Sequence, residues 1–159
     1  MQDGFVFSTT VAKNIAIGTD IIDKERLYNA SAVANLHDFV EQMPMGYNTK
    51  IGETGSGISQ GQRQRLLIAR AVYRDPSFIF LDEATNALDA NNEKMVIDNL
   101  NRFLSKRTAV VVAHRLSTVK HADQIIVLDK GLVAETGTHK ELLETKGIYY
   151  NLIKNQLEL

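Results

Sequence analysis

Four consecutive apolar residues, Phe78-Ile79-Phe80-Leu81, run straight into two adjacent carboxylates, Asp82 and Glu83. A short apolar run bounded by breakers reads as a buried strand of a parallel sheet. Pro76 stands just before this run, and Asn86 and Asp89 follow it. Thr108 to Val112 repeats the pattern and predicts a second buried strand. Between the two, Val96, Ile97, Leu100, Phe103 and Leu104 recur at helical spacing, which predicts a helix over 90–104. Leu27, Ala30, Val33 and Ala34 predict another over 23–42, with Asp23 as its cap and Pro44 and Gly46 as its end. Ser59 and Gln62 form an S-x-x-Q capping box ahead of a further helix. Ile68, Ala71 and Val72 lie on one face of it, and Arg63, Arg70 and Arg74 on the other. Gln124–Leu128 and Leu132–Glu135 flank Asp129-Lys130-Gly131, a hairpin signal. Two short helices close the chain, opening at Gly137-Thr138 and Gly147-Ile148. The sum is an α/β fold with a mostly parallel sheet.

Composition narrows the class. The chain has 159 residues, 44% of them hydrophobic, enough for one core. No apolar run approaches the roughly 18 residues needed to span a bilayer, and the first residues carry no basic region of a signal peptide. Without cysteine there is no disulfide and no thiolate metal site. A net charge of −1 gives no basic footprint, so no nucleic-acid partner is expected.

The chemistry gathers at strand ends, where open α/β sheets bind ligands. Adjacent carboxylates repel, so Asp82 and Glu83 call for a cation, a proton or water; a plain polar turn is the ordinary alternative. The run Gly52-Glu53-Thr54-Gly55-Ser56-Gly57-Ile58-Ser59 nearly matches the phosphate-binding loop G-x-x-x-x-G-K-[ST]. Ile58 stands where the phosphate-binding lysine is required, and no clear buried strand precedes the loop, so that reading is rejected. The start of the helix after Ser59 offers N–H groups and a positive dipole end, which suit an anion.

Taken together, these residues resemble the nucleotide-binding domain of an ATP-binding cassette (ABC) transporter. Asp82-Glu83 is similar to the end of a Walker B strand, Ile58-Ser59-Gln60-Gly61-Gln62 to the signature, and Asn86-Ala87-Leu88-Asp89 to the D-loop. His114 resembles the switch histidine, Gln2 the Q-loop glutamine and Glu53 the exporter X-loop. Gln60 departs from the pattern, since the family usually has glycine there. The run from Gln2 through Phe5, Phe7, Ser8, Thr10, Val11, Asn14 and Ile15 looks like the exporter branch. Residues 86–93 and 149–152 look most like bacterial peptide (bacteriocin) exporters that carry a peptidase domain. His37, His121 and His139 are read as packing or surface residues.

The resemblance implies a P-loop NTPase fold in which residues 1–159 correspond to the C-terminal two-thirds of the cassette. Residues 23–72 would form the helical signature subdomain and 73–159 the remainder of the catalytic core. It implies ATP and Mg²⁺ as ligands. Glu83, His114 and Gln2 would be catalytic, Asp82 and Gln2 would hold Mg²⁺, and Ser59, Gln60, Gly61, Gln62 and Asp89 would bind nucleotide. A second nucleotide-binding domain, meeting this one head to tail, and an exporter's transmembrane domain are the implied partners. The implied location is the cytoplasmic face of the inner (plasma) membrane. Neither the Walker A lysine motif nor the aromatic A-loop is found, so weak nucleotide binding by the chain alone is expected. Two other classes stand beside this one. A non-catalytic module would only dock to a membrane domain or partner cassette. A soluble ABC protein of DNA repair or translation would carry two cassettes or coiled-coil inserts, and neither is visible.

Overall fold

A computed structural model describes residues 4–52, 57–112 and 119–157. The chain divides into two compact units, residues 1–112 and 113–159.

In the first unit the capping box forms as the sequence predicts. Ser59 accepts from the Gln62 N–H at 3.2 Å, and the Gln62 side chain accepts from the Ser59 N–H at 2.8 Å. The helix it starts, α4 (Gln60–Tyr73), buries Leu66, Leu67, Ile68, Ala69, Val72 and Tyr73. It packs against α1 (Val11–Ile15) and α2 (Lys24–Val33). Fully burying an aliphatic side chain of this size contributes roughly 1.5–3 kcal/mol, so α4 is the main apolar contributor to this core.

The expected helix over 23–42 breaks in two. Ala34 caps α2, Asn35 takes a left-handed φ of 51°, and the Leu36 N–H turns back to the Ser31 carbonyl at 2.8 Å. α3 (His37–Glu41) then starts in a new direction. Asparagine tolerates this conformation better than most residues. Tertiary bonds hold it there: Asn35 Nδ2 donates to Asn92 Oδ1 at 2.8 Å, and the Asn35 carbonyl accepts from Arg65.

The predicted strands are β3 (Phe78–Asp82) and β4 (Thr108–Val112), joined by α5 (Ala90–Leu104). They pair in parallel, with Phe78 opposite Thr108 and Asp82 opposite Val112. Neither is buried on both faces. Ile79 and Leu81 enter the core, while Phe78 and Phe80 are 48% and 64% exposed and stack edge to face. Alternate strand residues point to opposite faces, and one face of β3 meets the helical core. A two-residue pair, β1 (Thr9–Thr10) with β2 (Lys50–Ile51), is antiparallel.

In the second unit the hairpin is as expected. β5 (Ile125–Asp129) and β6 (Leu132–Gly137) are antiparallel. Lys130 and Gly131 both have positive φ (49° and 79°), the backbone of a tight two-residue turn. Ile125 and Val127 pack with Leu142, Tyr149 and Ile153. Those residues come from α6 (His139–Thr145) and α7 (Ile148–Leu157). Thr138 and Glu141 form a second capping box at α6. The Glu135 carboxylate receives the N–H groups of Ile148 (2.5 Å) and Tyr149 (3.0 Å) at the start of α7.

The polar face assigned to Arg63, Arg70 and Arg74 is only partly solvent-facing. Arg70 turns inward because the chain over residues 5–17 lies across it. Its Nε donates to the Asn14 carbonyl at 2.8 Å, Nη1 to the Phe5 carbonyl at 3.0 Å and Nη2 to Asn14 Oδ1 at 3.3 Å. Arg74 Nη2 reaches the Ile17 carbonyl at 3.2 Å. Asn14 is fully buried, accepts from the Phe7 N–H at 2.9 Å and donates to the carbonyls of Phe7 (2.9 Å) and Thr10 (3.1 Å). Removing one partner from a buried polar group costs about 1–3 kcal/mol. Asn14→Ala, which strands the Phe7 N–H and part of Arg70, is expected to lower unfolding stability by about that amount. A urea titration checks this, and a midpoint unchanged from wild type would contradict it.

Candidate functional site

The strand β3 delivers Asp82 as its last residue, exposed to solvent. The chain then leaves the sheet abruptly. Glu83 has a φ of +46°, the left-handed region that a residue with a Cβ rarely adopts, at a cost of roughly 1–3 kcal/mol. Several bonds hold it there. The Glu83 N–H donates to the Val112 carbonyl at 3.0 Å, and its own carbonyl accepts from the Asn86 N–H at 3.2 Å. Asn86 Nδ2 also donates to Glu83 Oε2 at 2.6 Å. The turn thus lifts the second carboxylate out of the strand's alternation. Two consecutive acids can then serve one side of the sheet edge, as the sequence requires if both act on one ligand.

The residues that resemble the signature form the first turn of α4. Ser59 and Gln62 are engaged with each other, Gln60 is exposed, and Gly61 faces inward. A Cβ at Gly61 would lie 3.1 Å from the Ala87 carbonyl oxygen. The close approach that glycine permits here is therefore to the turn after β3 of the same chain. Asp89 ends that turn as the cap of α5: the Asn92 N–H donates to Oδ1 at 3.0 Å and Asn92 Nδ2 to Oδ2 at 2.5 Å. The Asn92 backbone bond, then its side-chain bond, holds the Asp89 carboxyl below its ordinary value of 3.8.

Two participants escaped the sequence reading. Gln64 donates from Nε2 to the Glu83 carbonyl at 3.0 Å, and its Oε1 accepts the Ala87 N–H at 2.8 Å. Its signal was available: Gly61, Gln64 and Ile68 share a helical stripe, so Gln64 is a polar residue on a packing face. Arg65 bonds the Asn35 carbonyl and Asn92 Oδ1, and its Nε is buried with no partner among the described residues. Burial lowers its pKa, and Asp89 opposes that shift.

Gln2, Glu53 and His114 lie outside the described residues. The rejected phosphate loop over 52–59 falls partly outside them; the two residues before it form only β2, an antiparallel partner of β1. His37 and His139 are packing residues, with Nδ1 2.8 and 2.7 Å from the hydroxyls of Tyr47 and Tyr149. His121 is exposed.

No group of three or more His, Cys, Asp or Glu side chains converges among the described residues. Asp82 is a single exposed oxygen donor at the sheet edge. That donor set fits Mg²⁺, which commonly takes one or two protein carboxylates and completes its shell with water and phosphate oxygens.

The profile of the family described as ABC transporter matches residues 1–86, more than half of the chain. The chain belongs to the ABC transporter family. It is 48% identical over 158 residues to "Multidrug resistance protein 4" of Entamoeba histolytica, covering 98% of this chain and 12% of that protein. It is 46% identical over 155 residues to the "ATP-dependent lipid A-core flippase" of Saccharophagus degradans, covering 98% of this chain and 26% of that one. Among solved structures, a bacterial Atm1-family ABC exporter with ATP bound matches with a TM-score of 0.91 at 38% identity, over 99% of this chain and 28% of the other. The chain thus spans about an eighth to a quarter of the length of these relatives. Its fold is the α/β fold of ABC ATPases, a partial P-loop NTPase domain.

The lowered Asp89 pKa has a signed consequence for this ABC chain. A depressed folded-state pKa adds stability above the ordinary value of 3.8, and that stability is lost as pH falls through the lower folded value. Asp89→Asn keeps an oxygen for the Asn92 N–H but removes the titration. It is expected to flatten the acid limb of the stability profile, whereas Asp89→Ala lowers the melting temperature across the whole range. Thermal melts through the acid range check both, and an acid limb unchanged in Asp89→Asn counts against the assignment.

Proposed function

We propose that the chain is the greater part of the nucleotide-binding domain of an ABC exporter, working at the cytoplasmic face of the membrane. The observation that carries this reading is the end of β3, where Asp82 leaves the strand exposed and Glu83 is held in a left-handed turn by main-chain and side-chain bonds. The family membership supports ATP as the substrate. In this reading residues 23–72 form the helical subdomain and 73–159 the rest of the core. No helix among the described residues is long and apolar enough to cross a membrane; in this reading an exporter's transmembrane domain is a partner. The likeness to peptidase-bearing peptide exporters rests on residues 86–93 and 149–152. The relatives compared above are a multidrug resistance protein, a lipid A-core flippase and an Atm1-family exporter. We therefore assign exporter and no narrower subclass.

Each residue has a role in phosphoryl transfer to water, which depends on positioning and charge stabilisation. Glu83 orients and deprotonates the attacking water. Asp82, with Gln2, would hold Mg²⁺, which would supply positive charge beside the phosphate oxygens. Gln2 and His114 contact the γ-phosphate end. Ser59, Gln60, Gly61 and Gln62, at the positive end of α4, serve the nucleotide of the partner domain in a head-to-tail dimer, and Asp89 lies in the loop next to that contact. Glu83 has one more methylene than Asp82, which gives it the reach to a water.

Three measurements test the reading. Calorimetry with Mg²⁺-ATP should show only weak binding to the 159-residue chain, because its sequence holds no phosphate-binding lysine loop; tight binding would overturn this. In a full-length exporter whose cassette carries this sequence, Glu83→Gln should bind ATP but slow turnover by roughly 10²–10⁴-fold, the usual worth of a positioned general base. Near-normal turnover would remove the role given to Glu83. In a heterodimer of such cassettes, Ser59→Arg in one subunit should cripple the site whose phosphate loop belongs to the other, and damage confined to its own site would contradict the head-to-tail assignment.

A further inference from the structure

One primary amide connects the signature helix to the turn that carries the catalytic acid. Gln64 lies one helical turn beyond Gly61, on the stripe of α4 that faces residues 83–88. Its Nε2 donates to the Glu83 carbonyl at 3.0 Å, and its Oε1 accepts the Ala87 N–H at 2.8 Å. The two partners are a main-chain acceptor and a main-chain donor, so only one orientation of the amide satisfies both. Few side chains could do this. A glutamate cannot donate to the Glu83 carbonyl, and asparagine is one methylene shorter. The Glu83 peptide is thereby held from both sides. Its N–H is taken by Val112 of the parallel strand and its carbonyl by α4, with the left-handed φ of +46° between them. Such a backbone persists only where its surroundings over-determine it. That backbone fixes the Cα–Cβ direction from which the side chain sets out, and Asn86 Nδ2, donating to Oε2 at 2.6 Å, holds its carboxylate end.

We propose that Gln64 is a positioning residue: through its two amide hydrogen bonds it sets the main chain at Glu83 and Ala87, and so the aim of the Glu83 carboxylate. It also ties the first turns of α4 rigidly to the acid's turn, so a nucleotide contact at Ser59–Gln62 and the aim of Glu83 share one rigid connection. This rests on the reading of Glu83 as the residue that directs water.

The test separates the two ideas by using a readout that needs no nucleotide. In the full chain, Gln64→Met keeps length and helix propensity but removes both polar ends. The Ala87 amide should then exchange with solvent roughly tenfold faster or more, as expected for a lost protecting bond, while α2 and α5 amides keep their protection. Gln64→Glu, which keeps the acceptor and removes the donor, should leave Ala87 protected. In a full-length exporter whose cassette carries this sequence, both variants should lower kcat with little change in KM for ATP, and neither should add to the defect of Glu83→Gln. Ala87 exchange unchanged in Gln64→Met overturns the proposal, whatever Glu83→Gln does. Faster exchange with unaltered kcat also overturns it, because the turn would then be free of any effect on the acid. Near-normal turnover in Glu83→Gln alone overturns instead the role given to Glu83. Should Gln64→Met fail to fold, Gln64→Glu decides: full kcat in that variant defeats the proposal, and a loss with Ala87 still protected supports it.

Discussion

Helix α4 must be buried on most of its circumference while carrying arginines and glutamines along its length. Taking a polar or charged side chain out of water is unfavourable unless it finds partners. The chain meets that requirement with main-chain groups. Arg70 and Arg74 bond carbonyls of residues 5–17, Arg65 bonds the carbonyl of Asn35, and Gln64 bonds Glu83 and Ala87. Phe5, Ile17, Asn35 and Glu83 lie outside helices and strands, and Asn14 stands in the last turn of α1, so the carbonyls bonded by α4 lie off any strand ladder. The helix therefore specifies the loops around it. Burial lowers the pKa of Arg70, with Arg74 adding to the shift, yet its bonds keep the charge solvated by protein.

Much of this was legible from the sequence, for identifiable reasons. The capping box at Ser59, the hairpin around Lys130-Gly131 and the strand–helix–strand from Phe78 to Val112 are local, and their signals sit within a few residues. What was not legible depends on residues far apart in the chain. The break at Asn35 is held by Asn92 and Arg65, so periodicity over 23–42 carried no trace of it. Arg70 looked like a surface residue because nothing nearby shows that residues 5–17 will cover it. The strands looked two-faced because apolar runs do not say which face meets a helix.

The site divides in the same way. Acids at a strand end and a capped, glycine-bearing helix start marked Asp82, Glu83 and the turn at Ser59–Gln62 in the sequence, and the resemblance to the ABC cassette is what suggested a role for them. Gln64 carried only the weaker signal of a polar residue on a packing stripe, since an amide is ordinary on a helix. Its importance lies in the left-handed turn it meets, and that turn is visible only once Glu83 has been folded.

The arginine bonds from α4 also bear on the order in which the first unit can be built. Arg70 lies 56 residues after Asn14 and 65 after Phe5, and Arg74 lies 57 after Ile17. During synthesis the segment holding Val11, Asn14 and Ile15 leaves the ribosome well before any of these partners exists. Contacts of such separation close slowly, because the intervening chain must give up its freedom first. The N-terminal segment must therefore remain unsettled, with apolar side chains uncovered, until Arg74 has been made. This interval is where a nascent chain of this kind is most open to chaperones and to misassociation.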